Sequence, residues 1–128
     1  MLSVDTNVVV RFLTRDDPDQ SPRARDLLTQ NDVWLGITVV LETEWVLRSV
    51  YGFFPTEISA AVSALAALPR LEIEQAAAVE RALVLYDAGM DFADALHLAT
   101  AGHGEAFVTL DKDCIETAKL HGLAIREP

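Results

Sequence analysis

The sequence predicts an α/β fold: a three-layer α/β/α sandwich in which helices cover both faces of a short parallel sheet of about five strands. Three observations predict it. Short apolar segments alternate with helix-length segments along the whole chain. The apolar segments lack the in–out alternation of a sheet that faces water on one side, so both faces are covered, as in parallel sheets. A chain of 128 residues that is 51% hydrophobic suits one domain, 1–128, with its own core.

The elements follow in order. LSV (2–4) reads as a short buried strand ending at Asp5. TNVVVRFLT (6–14) reads as a helix in spite of its valines, because Phe12 and Leu13 extend the apolar block. A turn in DDPDQ leads to a helix over about 20–30, with Ser21 as N-cap and Pro22 at the first helical position. VWLGI (33–37) is a second strand. TVVLETEWVLRSVYG is a helix that Thr38 caps and Gly52 stops. PTEISAAVSALAAL is a helix ended by Pro69, and LEI (71–73) is an extended segment. Residues 75–89 form an Ala-rich helix closed by Gly89. DFADALHLATAGHG is a helix closed by Gly102 or Gly104. AFVTL is a strand, DKDCIETAKLHG a helix and LAI the last strand.

Composition excludes several classes. One cysteine, Cys114, rules out an internal disulfide, which suits a reducing cytoplasm. No apolar run approaches the roughly 18 residues of a membrane span, and no export signal is visible. The expected location is therefore cytoplasmic, away from membranes. The formal charge of −10, from 20 acidic and 10 basic residues, opposes direct binding of a phosphate backbone. Either the acids form a solvated surface, or some converge on divalent cations that reverse the local sign.

Where the acids fall decides between these. Asp5 ends the first strand and Asp111 ends AFVTL; in parallel strands both emerge at one sheet edge, where ligands of such sheets bind. On a wheel of about 100° per residue, Glu44 and Arg48 pair on an outer face, and Glu42 sits roughly 140° from it, along a stripe with Val39, Trp45 and Val46. A carboxylate buried there needs a partner. Asp91 and Asp94, three apart, share one helix face. Each Asp at a strand–helix junction is equally well an N-cap, and the Asp91–Asp94 pair resembles a capping arrangement. Capping does not explain Glu42 inside its helix. Oxygen ligands of this kind suit Mg²⁺ or Mn²⁺, which can hold a phosphodiester and activate a water. Thr6 and Thr109 stand beside Asp5 and Asp111, where their hydroxyls orient a ligand or make local bonds.

VDTNVVVRFL, VVLETEWVLRS, FADALHLATA and FVTLDKDC resemble the successive motifs of PIN-domain nucleases, in the family's order and across nearly the whole chain. The nearest resemblance is to VapC-like toxins of type II toxin–antitoxin pairs. The resemblance implies an acidic metal site of Asp5, Glu42, Asp94 and Asp111. Asp94 fits better than Asp91 because it heads DALHLA, and Asp113 shares or replaces the role of Asp111. It further implies a Mg²⁺- or Mn²⁺-dependent endoribonuclease acting on RNA, a homodimer, and inhibition by a small VapB-like antitoxin that wraps the toxin and blocks the site. Cys114 departs from the pattern, which commonly has Phe there.

The remaining polar residues carry weaker signals. Asn7 hydrogen-bonds near the acids or serves a turn. Arg11, Arg15, Arg23 and Arg25 form a basic rim for RNA phosphates or pair with the neighbouring aspartates. His97 reads as a packing or interface histidine; His103 and His121 have no ligand spacing. The aromatics of VYGFFP are a contact surface or core. A receiver domain would place paired acids after the first strand and an acceptor Asp after a middle strand, and a haloacid-dehalogenase-like phosphatase would have Asp-x-Asp where this chain has DTN. A nuclease acting on DNA, and a non-catalytic module that only partners a DNA-binding antitoxin, remain as alternatives.

Overall fold

The structure, a computed structural model, describes residues 1–102 and 104–128. The sequence reading of His103 lies outside the described residues. Among the described residues, seven helices and five short strands are interleaved, and every strand pairing is parallel. The chain divides into two compact units, Met1–Ala76 and Ala77–Pro128.

The first unit is built on a three-stranded sheet, β1 (Leu2–Ser3), β2 (Val33–Leu35) and β3 (Leu71–Ile73), in that spatial order. Leu2 stands opposite Val33, and Val33 opposite Leu71. Helices α1 (Thr6–Thr14) and α2 (Gln20–Gln30) connect β1 to β2; α3 (Ile37–Ser49) and α4 (Pro55–Ala66) connect β2 to β3. Crossovers of this length are what parallel neighbours require. Val9, Leu28, Leu35, Val40, Leu47, Ile58 and Leu65 are fully buried and form the core, each worth about 1.5–3 kcal/mol of burial. Gly36 begins α3 without a side-chain cap of its own. The Glu74 carboxylate, just past β3, accepts the Ile37 N–H at 2.9 Å and fills that role. A Cβ at Gly36 would stand 3.3 Å from the Trp34 ring, so the turn from β2 into α3 favours the smallest residue.

The second unit contains α5 (Ala76–Asp87, whose first residue closes the first unit), α6 (Phe92–Ala101), β4 (Phe107–Val108), α7 (Lys112–Leu120) and β5 (Ile125–Arg126). β4 and β5 pair with each other, Phe107 opposite Ile125. Phe92 is fully buried and meets Tyr86 edge-on, with ring centroids 5.1 Å apart.

The predicted α/β class holds, and the helices begin and end close to where the turn residues place them. Some details differ. Among the described residues the strands form sheets of three and two rather than one sheet of five. β1 is an exposed edge strand, not a buried one, because it pairs only through β2 and is two residues long. Ser21 is not the cap of α2. Asp17 accepts the N–H groups of Asp19 and Gln20 at 2.9 and 2.7 Å, which starts the helix earlier and leaves Ser21 buried in its first turn. Gly36, not Thr38, occupies the cap position of α3.

Candidate functional site

Three of the predicted acids begin helices. Asp5 accepts the Val8 N–H at 3.2 Å and starts α1. Asp91 accepts the Asp94 N–H at 3.1 Å and starts α6. Asp111 accepts the Cys114 N–H at 3.1 Å and starts α7, while its own N–H donates to the Thr109 hydroxyl at 3.1 Å. Each satisfies a backbone donor that a helix start otherwise leaves open, and each gains from the positive end of the helix dipole. Thr109 therefore positions Asp111 by a local hydrogen bond.

In the second unit Asp91, Asp94, Asp111 and Asp113 line one pocket of about 190 Å³, together with Gly89, Met90 and Cys114. The turn before α6 and the start of α7 bring these acids together. Asp94 is half-buried, and its pKa is raised: burial contributes most, then the charges of Asp91 and Asp111, with His97 opposing them. Cys114 forms part of the wall. Burial, reinforced by Asp94, Asp111 and Asp91, pushes its thiol up to about 11. What the pocket offers is carboxylate oxygen, the donor set of a hard cation such as Mg²⁺ or Mn²⁺. Among the described residues no three or more His, Cys, Asp or Glu side chains are grouped so that they could hold a metal ion.

Asp5, Thr6, Asn7 and Glu42 belong to the first unit. Thr6 is buried and Asn7 exposed. The reading of Glu42 as a residue on a buried stripe is corrected: Glu42 is exposed. The buried stripe of α3 is Val40, Thr43, Glu44 and Leu47, an i, i+3, i+4, i+7 set. Trp45, counted as apolar and therefore internal, is 54% exposed. Glu44 is the buried acid. Its side chain is only 3% exposed, and it receives the Arg48 Nε at 2.8 Å across one helical turn. The Glu44–Arg48 pair exists as expected, but it spans from surface to core. The missed signal is the Thr43–Glu44 step itself, because Thr43 completes an apolar face only if Glu44 lies beside it.

Arg11 is held by Asp16 at 3.2 Å, by the Gln20 side chain at 2.8 Å and by the Tyr51 hydroxyl at 3.0 Å. Tyr51 in turn donates to Asp16 at 2.9 Å. Arg23 and Arg25 pair with Asp19 and Asp26. Arg15 ends α1 in the left-handed region, with φ of 54°, and is exposed. In VYGFFP, Phe54 is exposed, whereas Tyr51 and Phe53 are half-buried and in edge contact.

The sequence pattern of the PIN domain matches residues 2–120. The chain belongs to the PIN-domain family. No curated protein matches it. PIN domains are generally nucleases, and they usually use divalent metal ions. The match runs through both units, so this PIN domain includes the α1 start at Asp5, the α3 acids and the acidic pocket of α6 and α7. No helix of this PIN domain is long and apolar enough to cross a membrane, among the described residues.

Proposed function

We propose that this PIN domain is a Mg²⁺- or Mn²⁺-dependent endoribonuclease that serves as the toxin of a type II toxin–antitoxin pair. The observation that carries the reading is the crowding of Asp94 by Asp91 and Asp111 in a pocket walled by carboxylates. Such crowding costs folding free energy unless a cation joins it, and folds keep costly arrangements where function needs them.

In this reading Asp94, Asp111 and Asp113 of the second unit are the ligand acids, with Asp91 supporting. A bound cation would supply Lewis-acid stabilisation of the phosphodiester and activation of water. Asp111 spends one carboxylate oxygen on the Cys114 N–H and keeps the other for the pocket. Thr109 fixes the turn that aims it. His97, one turn from Asp94, is exposed and attracts the negative charge there, which favours the ionised form a cation needs. On α3, Glu42 remains the acid that the family resemblance implies. Glu42 is exposed and open to a ligand, whereas Glu44 is buried and committed to Arg48. A homodimer and a small inhibitory antitoxin belong to the same reading.

The test is cleavage of single-stranded RNA by the purified chain with Mg²⁺ or Mn²⁺, with and without EDTA. Cleavage is expected to stop with EDTA and in Asp94→Asn. Glu42→Gln is expected to lose more activity than Glu44→Gln. Cleavage that persists in Asp94→Asn and under EDTA would reject the metal site. Absence of cleavage of any RNA or DNA would favour the binding-only module. Expression without a partner gene is expected to arrest growth.

A further inference from the structure

A nuclease of net charge −10 must still hold a polyanion, and most of its cations are already engaged. Arg11, Arg23, Arg25, Arg48 and Arg70 form ion pairs with acids. Arg81 donates to the Ala99 carbonyl at 3.1 Å. The chain has only two lysines, Lys112 and Lys119. Both lie on α7, seven residues apart, and with Arg126 of β5 they line a single open concavity of about 440 Å³. No ion pair involves any of the three among the described residues, and all three are exposed. Glu116 and Glu127 share the concavity, and the Glu127 carbonyl accepts from Arg126 at 3.1 Å.

We propose that this face of α7 and β5 is the seat of the RNA backbone, where Lys112, Lys119 and Arg126 hold phosphates flanking the one that is cleaved. The proposal rests on the nuclease reading above. Three arguments support it. Seven residues of helix separate the two lysines by about 10 Å along the axis, enough for consecutive phosphates of an extended strand to lie between them. Lys112 stands in sequence between Asp111 and Asp113, so the cationic face begins where the acidic pocket ends. Cations without an acid partner keep their full attraction for phosphate, whereas paired ones must first give up that partner. Arg11 and Arg23 are therefore the weaker candidates for this role, and Arg15, which has no ion pair among the described residues either, lines a different pocket beside Asp17 and the paired Arg25.

The experiment measures binding of a labelled 12-nucleotide single-stranded RNA by anisotropy, from 50 to 300 mM salt, using full-length Asp94→Asn to prevent cleavage. The triple change Lys112→Gln, Lys119→Gln, Arg126→Gln is expected to weaken binding about tenfold or more at low salt. It is also expected to flatten the log–log salt slope by about 2, near 0.7 for each single-strand phosphate that is no longer neutralised. Lys112→Arg with Lys119→Arg, which keeps the charge, is expected to bind like the parent. An unchanged affinity and slope in the triple variant, or no RNA binding by the parent, overturns the proposal. Cleavage by the wild-type chain is read separately. A chain that cuts RNA but binds it equally well after the triple change leaves the nuclease reading standing and removes this surface. A chain that binds RNA through these cations and never cuts does the reverse.

Discussion

The two units carry the same net charge and arrange it in opposite ways. The first has 11 acidic against 6 basic residues, the second nine against four, a difference of five in each. All five described ion pairs lie in the first unit. There Arg11, Asp16 and Tyr51 close a triangle joining α1, the loop after it and the turn before α4, and Arg70 ties Asp32 and the Gln30 carbonyl. In the second unit, Asp91, Asp94, Asp111 and Asp113 gather in one pocket, and Lys112, Lys119 and Arg126 line another with Glu116 and Glu127. Charge neutralised within the chain stabilises the chain, whereas the four aspartates of the acidic pocket have no cation among the residues that line it. Equal composition thus hides a division of labour that only the arrangement reveals.

The sharpest way to break this contrast is Asp94→Asn. Activity is expected to fall by more than about 100-fold, beyond the usual cost of losing an outer-shell partner of a metal site. The same change is expected to raise the melting temperature of the metal-free protein. Folding raises the Asp94 pKa, so its ionisation opposes the folded state. The penalty is absent below the unfolded carboxylate value near pH 4 and complete above the raised folded value. The gain in melting temperature should therefore grow as pH is taken from about 4 to 7. A variant no more stable than the parent at pH 7 would contradict the idea that the pocket is strained by its own charge.

The next effect belongs to the first unit. Arg48→Ala leaves the buried Glu44 without its guanidinium and is expected to cost about 1–3 kcal/mol in urea unfolding. Glu42→Gln, at an exposed position, is expected to stay within about 0.5 kcal/mol. Tyr51→Phe removes the hydroxyl that bridges Arg11 and Asp16, for about 1 kcal/mol. The Thr14 and Tyr51 hydrogen bonds hold the Asp16 carboxyl below its ordinary pKa. Its contribution to stability is therefore present above about pH 4 and lost as pH falls through the lowered folded value. Tyr51→Phe should reduce that acid sensitivity, measured as the slope of stability between about pH 2 and 4. Smallest of all, Arg23→Ala opens an exposed pair and is expected to change stability by no more than about 0.5 kcal/mol.

Much of the architecture is legible in the residues themselves. Gly52, Gly89 and Gly102 close their helices in the sequence pattern and adopt positive φ in the structure, 69°, 102° and 47°, which side chains resist. Asp5, Asp91 and Asp111 announce helix starts because a short carboxylate reaches a backbone N–H three residues on. The Asp91–Asp94 pair is legible from helical spacing, whereas the joining of Asp94 to Asp111 follows from the family resemblance. Where sequence and structure part, the reasons are physical. Strands of two or three residues carry almost no register signal, so their partition into two sheets is not legible. The phase of α3 is misread from sequence because hydrophobicity assigns Trp45 to the core, although the packing leaves it outside and draws Glu44 in. The Arg11–Tyr51 bond joins residues 40 apart, beyond any local pattern.

The capping aspartates have an implication for how this protein should be probed and for how its relatives should be read. Asp5, Asp91 and Asp111 each start a helix whether or not a substrate ever arrives. An alanine scan would damage folding at those three positions and report it as lost chemistry, whereas asparagine keeps a side-chain oxygen for the cap. A relative that cuts nothing would retain the same three aspartates for architectural reasons alone. Asp94 and Asp113, which cap no helix in the described structure, would be the first to drift, and their survival is the more telling mark of a working enzyme.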